Sequence, residues 1–167
     1  MNTLNAPHGG RLIERYTRDD TQQAELLARA YESPSVILDR TALADLEMLG
    51  NGALSPLSGF MGEEDFRSVV EGMRLSNGLP WTIPIVLGAD RVTVKNLNEG
   101  KAVALSDKTG KLFGLLDLTE IYLNDVRTHA HAVFGTDEEY HPGVSRVLRL
   151  GEYLLAGQVT ALPIQSQ

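Results

Sequence analysis

The stretch SPLSGFM, at residues 55–61, stands between helix-like patterns and differs from both of its neighbours. Its serines, proline and glycine are typical of a turn, because they favour bent backbone. Leu57, Phe60 and Met61 are nevertheless large and apolar, and such side chains are usually withdrawn from water. The stretch is therefore predicted to be a loop that packs down onto the protein.

Helical patterns lie on both sides of this loop. Upstream, Asp39 is a good N-cap for a helix over residues 40–49, which GNG at residues 50–52 would end. Downstream, residues 63–73 have helical periodicity. An earlier helix is predicted over residues 21–31, after an acidic pair. The side chains expected to face the core are Ala24, Leu27, Ala28, Tyr31, Leu43, Leu46, Leu49, Phe66, Val69, Val70 and Met73.

Strand patterns dominate the second half of the chain. Pro84 lies inside the first of them and marks a sheet edge, a bulge or a strand end, since proline cannot donate to a ladder. Gly114 is a candidate bulge. The order of elements, helices first and then mostly strands, favours an α+β fold with a closed or strongly curved sheet. Strands are predicted at residues 12–13, 36–38, 81–87, 102–105, 112–118 and 153–162, and later helices at residues 123–134 and 144–150, the second after a rigid loop at residues 141–144.

Size and charge exclude several classes of protein. The 167 residues fit one domain, and no change of composition divides them. The net charge is -7 and the basic residues are scattered, so nucleic-acid binding is not expected. The chain has no cysteine, which excludes disulfides and thiolate chemistry. It has no secretory signal and no apolar run of about 18 residues, so we expect no membrane contact and a cytoplasmic location.

Signatures of common active sites are absent from the sequence. There is no glycine-rich phosphate loop and no G-x-S-x-G, and Ser58 lacks the preceding glycine of that motif. His129 and His131 are two residues apart, so they would point to different faces of a helix and suit no shared metal. His8 and His141 lie in predicted loops and could approach each other. No catalytic, cofactor-binding or metal-binding residue is predicted.

Acidic residues cluster at the starts of predicted helices. Carboxylates there interact favourably with the positive end of the helix dipole, so the clusters need no catalytic role. Asp45 and Glu47 differ, because they lie in a leucine-rich helix just before the apolar loop. These two carboxylates are candidates to cap or buttress that loop.

Four stretches, in this order and spacing, carry a family resemblance. They are DLEML with GNG at residues 45–52, SPLSGFM at residues 55–61, MRL with IPI at residues 73–85, and AVFGTD with HPGV at residues 132–144. Together with PHGG near the start, they resemble the N-terminal domain of ATP sulfurylase (sulfate adenylyltransferase). The resemblance covers nearly the whole chain.

The resemblance implies a PUA-like fold, a small pseudo-β-barrel with decorating helices, over residues 1–162. Residues 163–167 would then be a linker stub or tail. The family makes adenosine 5′-phosphosulfate and pyrophosphate from ATP and sulfate, in a catalytic domain that follows this one. That domain carries a Gln-x-Arg-Asn-Pro stretch and a His-x-x-His pair, and this sequence has neither. Arg74 and His141 match family positions, but no catalytic residue carries over, so the chain alone is predicted to be inactive.

Three functions are compatible with these observations. The first is a non-catalytic N-terminal domain that supports a catalytic domain, in cis or in trans, with homo-oligomers possible. The second is a freestanding PUA-like module that binds RNA, which the acidic charge opposes. The third is a regulatory or scaffold subunit that docks on a separate catalytic chain. The apolar loop would serve either as part of the core of this domain or as the surface that meets the catalytic domain. If that surface were exposed, it would favour self-association.

Overall fold

The computed structural model describes residues 5–163. These residues form two compact units, which no change of composition had indicated. Unit 1 contains residues 5–59, 102–117 and 158–163, and unit 2 contains residues 60–101 and 118–157. Most of the predicted tail, residues 164–167, lies outside the described residues. None of the described helices has both the length and the apolar character needed to cross a membrane.

Two helices open unit 1, namely α1 (Asp20–Tyr31) and α2 (Arg40–Gly50). Each begins after an aspartate whose carboxylate accepts hydrogen bonds from the first turn. Asp19 accepts from the backbone N–H of Gln22 at 2.8 Å, and Asp39 accepts from two N–H groups of α2. Such caps satisfy donors that have no partner inside the helix. Both predicted helices are confirmed.

The buried face of α1 differs from the predicted one. Leu26 and Ala30 are buried and pack in one cluster with residues of strand β4 (Ala102–Ser106). Tyr31, which was assigned to the core, is 84% exposed, and Leu27 is only partly buried. The error arose because adjacent leucines fit two neighbouring helical stripes equally well, and only the packing partner selects one of them.

The strands that contribute to unit 1 are hydrogen-bonded in the order β1-β4-β5-β6-β2. β1 runs parallel to β4, and β4 runs antiparallel to β5. This order has two ends within residues 5–163, so the sheet is open, and the closed sheet is excluded. The strands are β1 (Ser35–Ile37), β2 (Gly59–Phe60), β5 (Leu112–Leu123) and β6 (Tyr153–Ala161), of which β5 and β6 also extend into unit 2.

A bulge interrupts the pairing of β4 with β5. Consecutive β4 residues lie opposite Gly114 and Leu112, so Phe113 is left without a partner in the register. A Cβ atom on Gly114 would lie 2.6 Å from the carbonyl oxygen of Thr160. Only glycine fits this close approach, and the bulge predicted there is confirmed.

Two apolar clusters lie among the described residues of unit 2. In the first, Phe66 and Tyr122 pack around β6, and the Tyr122 hydroxyl donates to the Met61 carbonyl at 2.8 Å. The second joins α5 to α6 through Ala130 and two valines of α6. The elements are α3 (Glu63–Gly72), β3 (Leu87–Ala89), α4 (Arg91–Val94), α5 (Val126–Phe134) and α6 (Pro142–Arg149), and β3 runs antiparallel to β6.

Several predicted boundaries are wrong. The strand expected at residues 81–87 begins only at Leu87, beyond Pro84, because that proline cannot join a ladder. The segment HPGV is the start of α6 and not a loop, since His141 is the N-cap and Pro142 takes the first helical position. Met73 is 62% exposed and ends α3 in a left-handed conformation. The four-residue helix α4 was not predicted, and residues 12–13 form no strand.

The packing of β3 leads to a stability prediction. A Cβ atom on Gly88 would lie 2.0 Å from the carbonyl oxygen of Leu150, whereas one on Gly72 meets nothing within 4 Å. We expect Gly88→Ala to lower the free energy of unfolding by about 2 kcal/mol or more, because backbone must move. Gly72→Ala, in helix α3, should raise it by about 0.5 kcal/mol. Urea denaturation of both variants makes the comparison, and equal stabilities would contradict the packing.

Candidate functional site

Residues 12–17, the segment that precedes α1, are held on both sides by backbone hydrogen bonds within unit 1. The N–H groups of Arg15 and Tyr16 both donate to the carbonyl of Gly50, at 2.8 and 3.2 Å. On the other side, Ala161 donates to the Arg15 carbonyl at 2.8 Å, and Thr17 donates to the Ala161 carbonyl at 2.9 Å. The segment is thereby fixed between the end of α2 and the end of β6.

Two glycines make this close approach possible. A Cβ atom on Gly50 would lie 2.6 Å from the ring of Tyr16. Gly52 has φ 79°, which favours glycine, and a Cβ atom there would lie 2.8 Å from Leu12 Cδ1. The GNG sequence that ends α2 therefore also provides the surface on which the segment lies.

The loop that follows α2 makes a second set of contacts. Ser55 is buried, and its Oγ accepts from the Ile13 N–H at 2.8 Å and donates to the Gly52 carbonyl at 2.6 Å. The carbonyl of Ser58 accepts from the Val159 N–H at 3.1 Å. The Ser55–Pro56 peptide is cis. The loop packs down as predicted.

The apolar side chains of this loop belong mostly to the core. Leu57, Phe60 and Met61 are 8%, 3% and 3% exposed. Leu54 and Pro56 are half-buried. The loop was predicted to be either part of this domain's own core or a surface that meets the catalytic domain. The three buried side chains belong to the core.

These segments line a pocket of about 390 Å³ in unit 1. Its notable feature is charge, because Arg11, Arg15 and Arg18 all line it, with Glu14 as the lining carboxylate. Arg15 is fixed there, since its Nε donates to the Val159 carbonyl at 2.7 Å. The other lining residues within the described part of the chain are Leu12, Ile13, Pro56, Ser58 and Gln158.

This basic pocket was missed because the arginines were treated as scattered surface charge. Three arginines within residues 11–18 were a visible local signal. Ser58 lines the same pocket. A serine nucleophile needs a neighbouring base such as histidine, and no histidine is among the lining residues. Among the carboxylates considered earlier, Asp45 is buried and Glu47 is exposed. A capping role for either carboxylate stays a prediction.

Two of the histidines have structural roles in unit 2. His129 is 4% exposed, its Nδ1 lies 3.2 Å from Asn124 Oδ1, and its ring meets Phe66 edge-on at 5.0 Å between centroids. His131 is exposed, so the two residues lie on different faces of α5, as predicted. His141 caps α6, where its Nδ1 accepts from a backbone N–H. His8 belongs to unit 1.

The electrostatics of unit 2 also favour structural roles. Burial, together with the nearby charge of Arg146, lowers the pKa of His129 to about 4. Burial also raises the pKa of the Tyr122 hydroxyl, with the carboxylate of Glu120 adding to the effect. Arg74 donates to the Gly78 carbonyl at 3.0 Å and so closes its own turn. Residues 5–163 contain no cluster of three or more potential metal ligands.

Comparison with known families gives a match over almost the entire described chain. The PUA-like domain family matches residues 5–163. Among solved structures, a hexameric APS kinase from Thiobacillus denitrificans has a TM-score of 0.73 and 27% sequence identity. The alignment covers 99% of this chain and 28% of the kinase chain.

The curated relatives are named sulfate adenylyltransferase. That of Symbiobacterium thermophilum is 46% identical over 162 residues, which is 97% of this chain and 41% of the relative. That of Acaryochloris marina is 48% identical over 161 residues, or 96% of this chain and 41% of the relative. The chain thus spans about two fifths of the length of these relatives.

The contacts of Ser55 predict a specific loss. Ser55→Ala removes the acceptor of the Ile13 N–H, and a donor left without a partner costs about 1–3 kcal/mol. We expect the free energy of unfolding to fall by about 2 kcal/mol and the Ile13 amide to exchange faster with solvent. Ser58→Ala, at the half-buried end of the same loop, is the matched control and should change stability by less than about 0.5 kcal/mol. Equal losses in the two variants would contradict the anchoring role.

His129 predicts how stability depends on pH. Its pKa in the folded protein is about 4, whereas an unfolded histidine titrates near about 6.5. Between these values the unfolded state binds the extra proton, so stability falls as pH falls, with a slope of at most about 1.4 kcal/mol per pH unit. His129→Gln should flatten the slope in this window, whatever its own effect on stability. Urea titrations from pH 7 to 4 test this, and the exposed control His131→Gln should keep the slope.

Proposed function

We propose that this chain, which belongs to the PUA-like domain family, is the non-catalytic PUA-like part of a sulfate adenylyltransferase and supports a catalytic part, in cis or in trans. One observation carries the proposal. Relatives with that name are 46% and 48% identical to almost all of this chain, yet this chain spans only 41% of their length. More than half of each relative therefore lies outside the aligned region, and we assign the chemistry to that remainder.

The side chains support a structural role. The buried histidine His129 is neutral and packed against an aromatic ring, His141 caps a helix, and Arg74 closes a turn. Transfer of a nucleotidyl group to sulfate requires cations and amide donors around both anions. In unit 2 these titratable groups are already engaged by their own fold. The catalytic part, supplied in cis or in trans, would provide that environment.

The proposal includes an assembly and a location. A structural neighbour is described as a hexameric APS kinase, so we include self-association with further copies as part of the role. A reaction that uses ATP fits the cytoplasm, where ATP is available. An RNA-binding role is less favoured, because the chain carries a net charge of -7.

Activity measurements on a chimaera test this proposal. The matching region of the Acaryochloris marina relative is replaced by this chain, and sulfate-dependent pyrophosphate release from ATP is measured. The chain alone should release no pyrophosphate above the buffer blank, whereas the chimaera should be active, because the aligned region is 48% identical. The relative's remainder without any PUA-like part is the control and should be insoluble or inactive. Turnover by the chain alone, or full activity of the remainder alone, would overturn the proposal.

A further inference from the structure

We propose that the basic pocket of unit 1 binds a small organic oxyanion, a phosphate or sulfate group carried on a partly apolar body. This inference is independent of the proposed support role. It rests on the way the backbone brings Arg11, Arg15 and Arg18 to one cavity.

The arginines suit an oxyanion because of their geometry and charge. A guanidinium presents planar, permanently charged N–H groups that match phosphate and sulfate oxygens. Within residues 5–163, neither Arg11 nor Arg18 forms an ion pair, whereas Arg29, Arg67, Arg91 and Arg127 do. The lining carboxylate of Glu14 is outnumbered by three guanidinium groups. The pocket therefore keeps a local positive charge in an acidic chain.

The pocket has a fixed structure in addition to its positive charge. Arg15 is half-buried and held by its hydrogen bond to Val159, and its backbone is tied to Gly50 and Ala161. Such fixed donors lose little entropy when a ligand binds. Ser58 and Gln158 line the cavity as further polar groups.

The size and the walls indicate the class of ligand. A cavity of about 390 Å³ lies within the range of about 300–1,000 Å³ that is usual for small-molecule sites. Leu12, Ile13 and Pro56 form its apolar walls, and Leu12 is 50% exposed. An apolar surface beside three cations suits a body such as a nucleoside with its anionic group among the arginines. A long nucleic acid would need a basic track beyond this pocket.

Binding of defined probes tests the proposal. ADP, inorganic pyrophosphate and adenosine are titrated into the ¹⁵N-labelled chain at low salt, and amide shifts are followed by NMR. We expect ADP to bind with a Kd below about 1 mM, pyrophosphate to bind more weakly, and adenosine not to bind. The shifts should centre on residues 11–18, Ser58 and Gln158, and added salt should weaken binding.

Substitutions distinguish binding in the pocket from a general effect of the net charge. Arg11→Gln and Arg18→Gln alter exposed side chains and should each weaken ADP binding about tenfold. Arg40→Gln removes the same charge from an exposed site outside the pocket and should leave the Kd unchanged. Three results would each overturn the proposal: no saturable binding at about 10 mM ADP, equal weakening by all three variants, or displacement of ADP by single-stranded RNA at lower concentration.

Discussion

The carbonyl group of Gly50 is the acceptor on which the architecture of unit 1 depends. It ends α2 and receives two backbone N–H groups, from Arg15 and Tyr16. Buried carbonyls need partners, and this one has them only if the segment before α1 crosses the helix end. Because Gly50 has no Cβ, the ring of Tyr16 can lie where a larger residue would collide.

The starts of α1 and α2 could be predicted from the sequence, whereas the buried face of α1 and the start of β3 could not. Asp39 and the glycines after α2 act locally, so their effects could be predicted. The buried face of α1 depends on which row of apolar side chains packs against β4, and β4 is distant from α1 in the sequence. The same limit applies to the basic pocket, since Gln158 is separated from Arg11 by most of the chain. The start of α6 was not predicted for a local reason: proline and glycine in HPGV are typical of a turn, but proline is equally suited to the first helical position.

The two units differ in how their ionisable side chains are used. In unit 2, His129 and Tyr122 are buried by their own helices and strands, and this burial is the main cause of the displacement of their pKa values. In unit 1, Arg11 and Arg18 line a cavity, and no carboxylate of residues 5–163 forms an ion pair with either. A family membership that explains the fold leaves this pocket unexplained, so the support role and the pocket are separate properties of one chain.

Amide hydrogen exchange at Arg15, Tyr16 and Thr17 tests the central claim most directly, because these N–H groups donate to Gly50 and Ala161. If the segment is an integral part of unit 1, their protection should match that of the interior of β6 and be lost only in global unfolding. Exchange near the rate of an unstructured peptide would show that the segment is not anchored, and the pocket it forms would not exist as a fixed site.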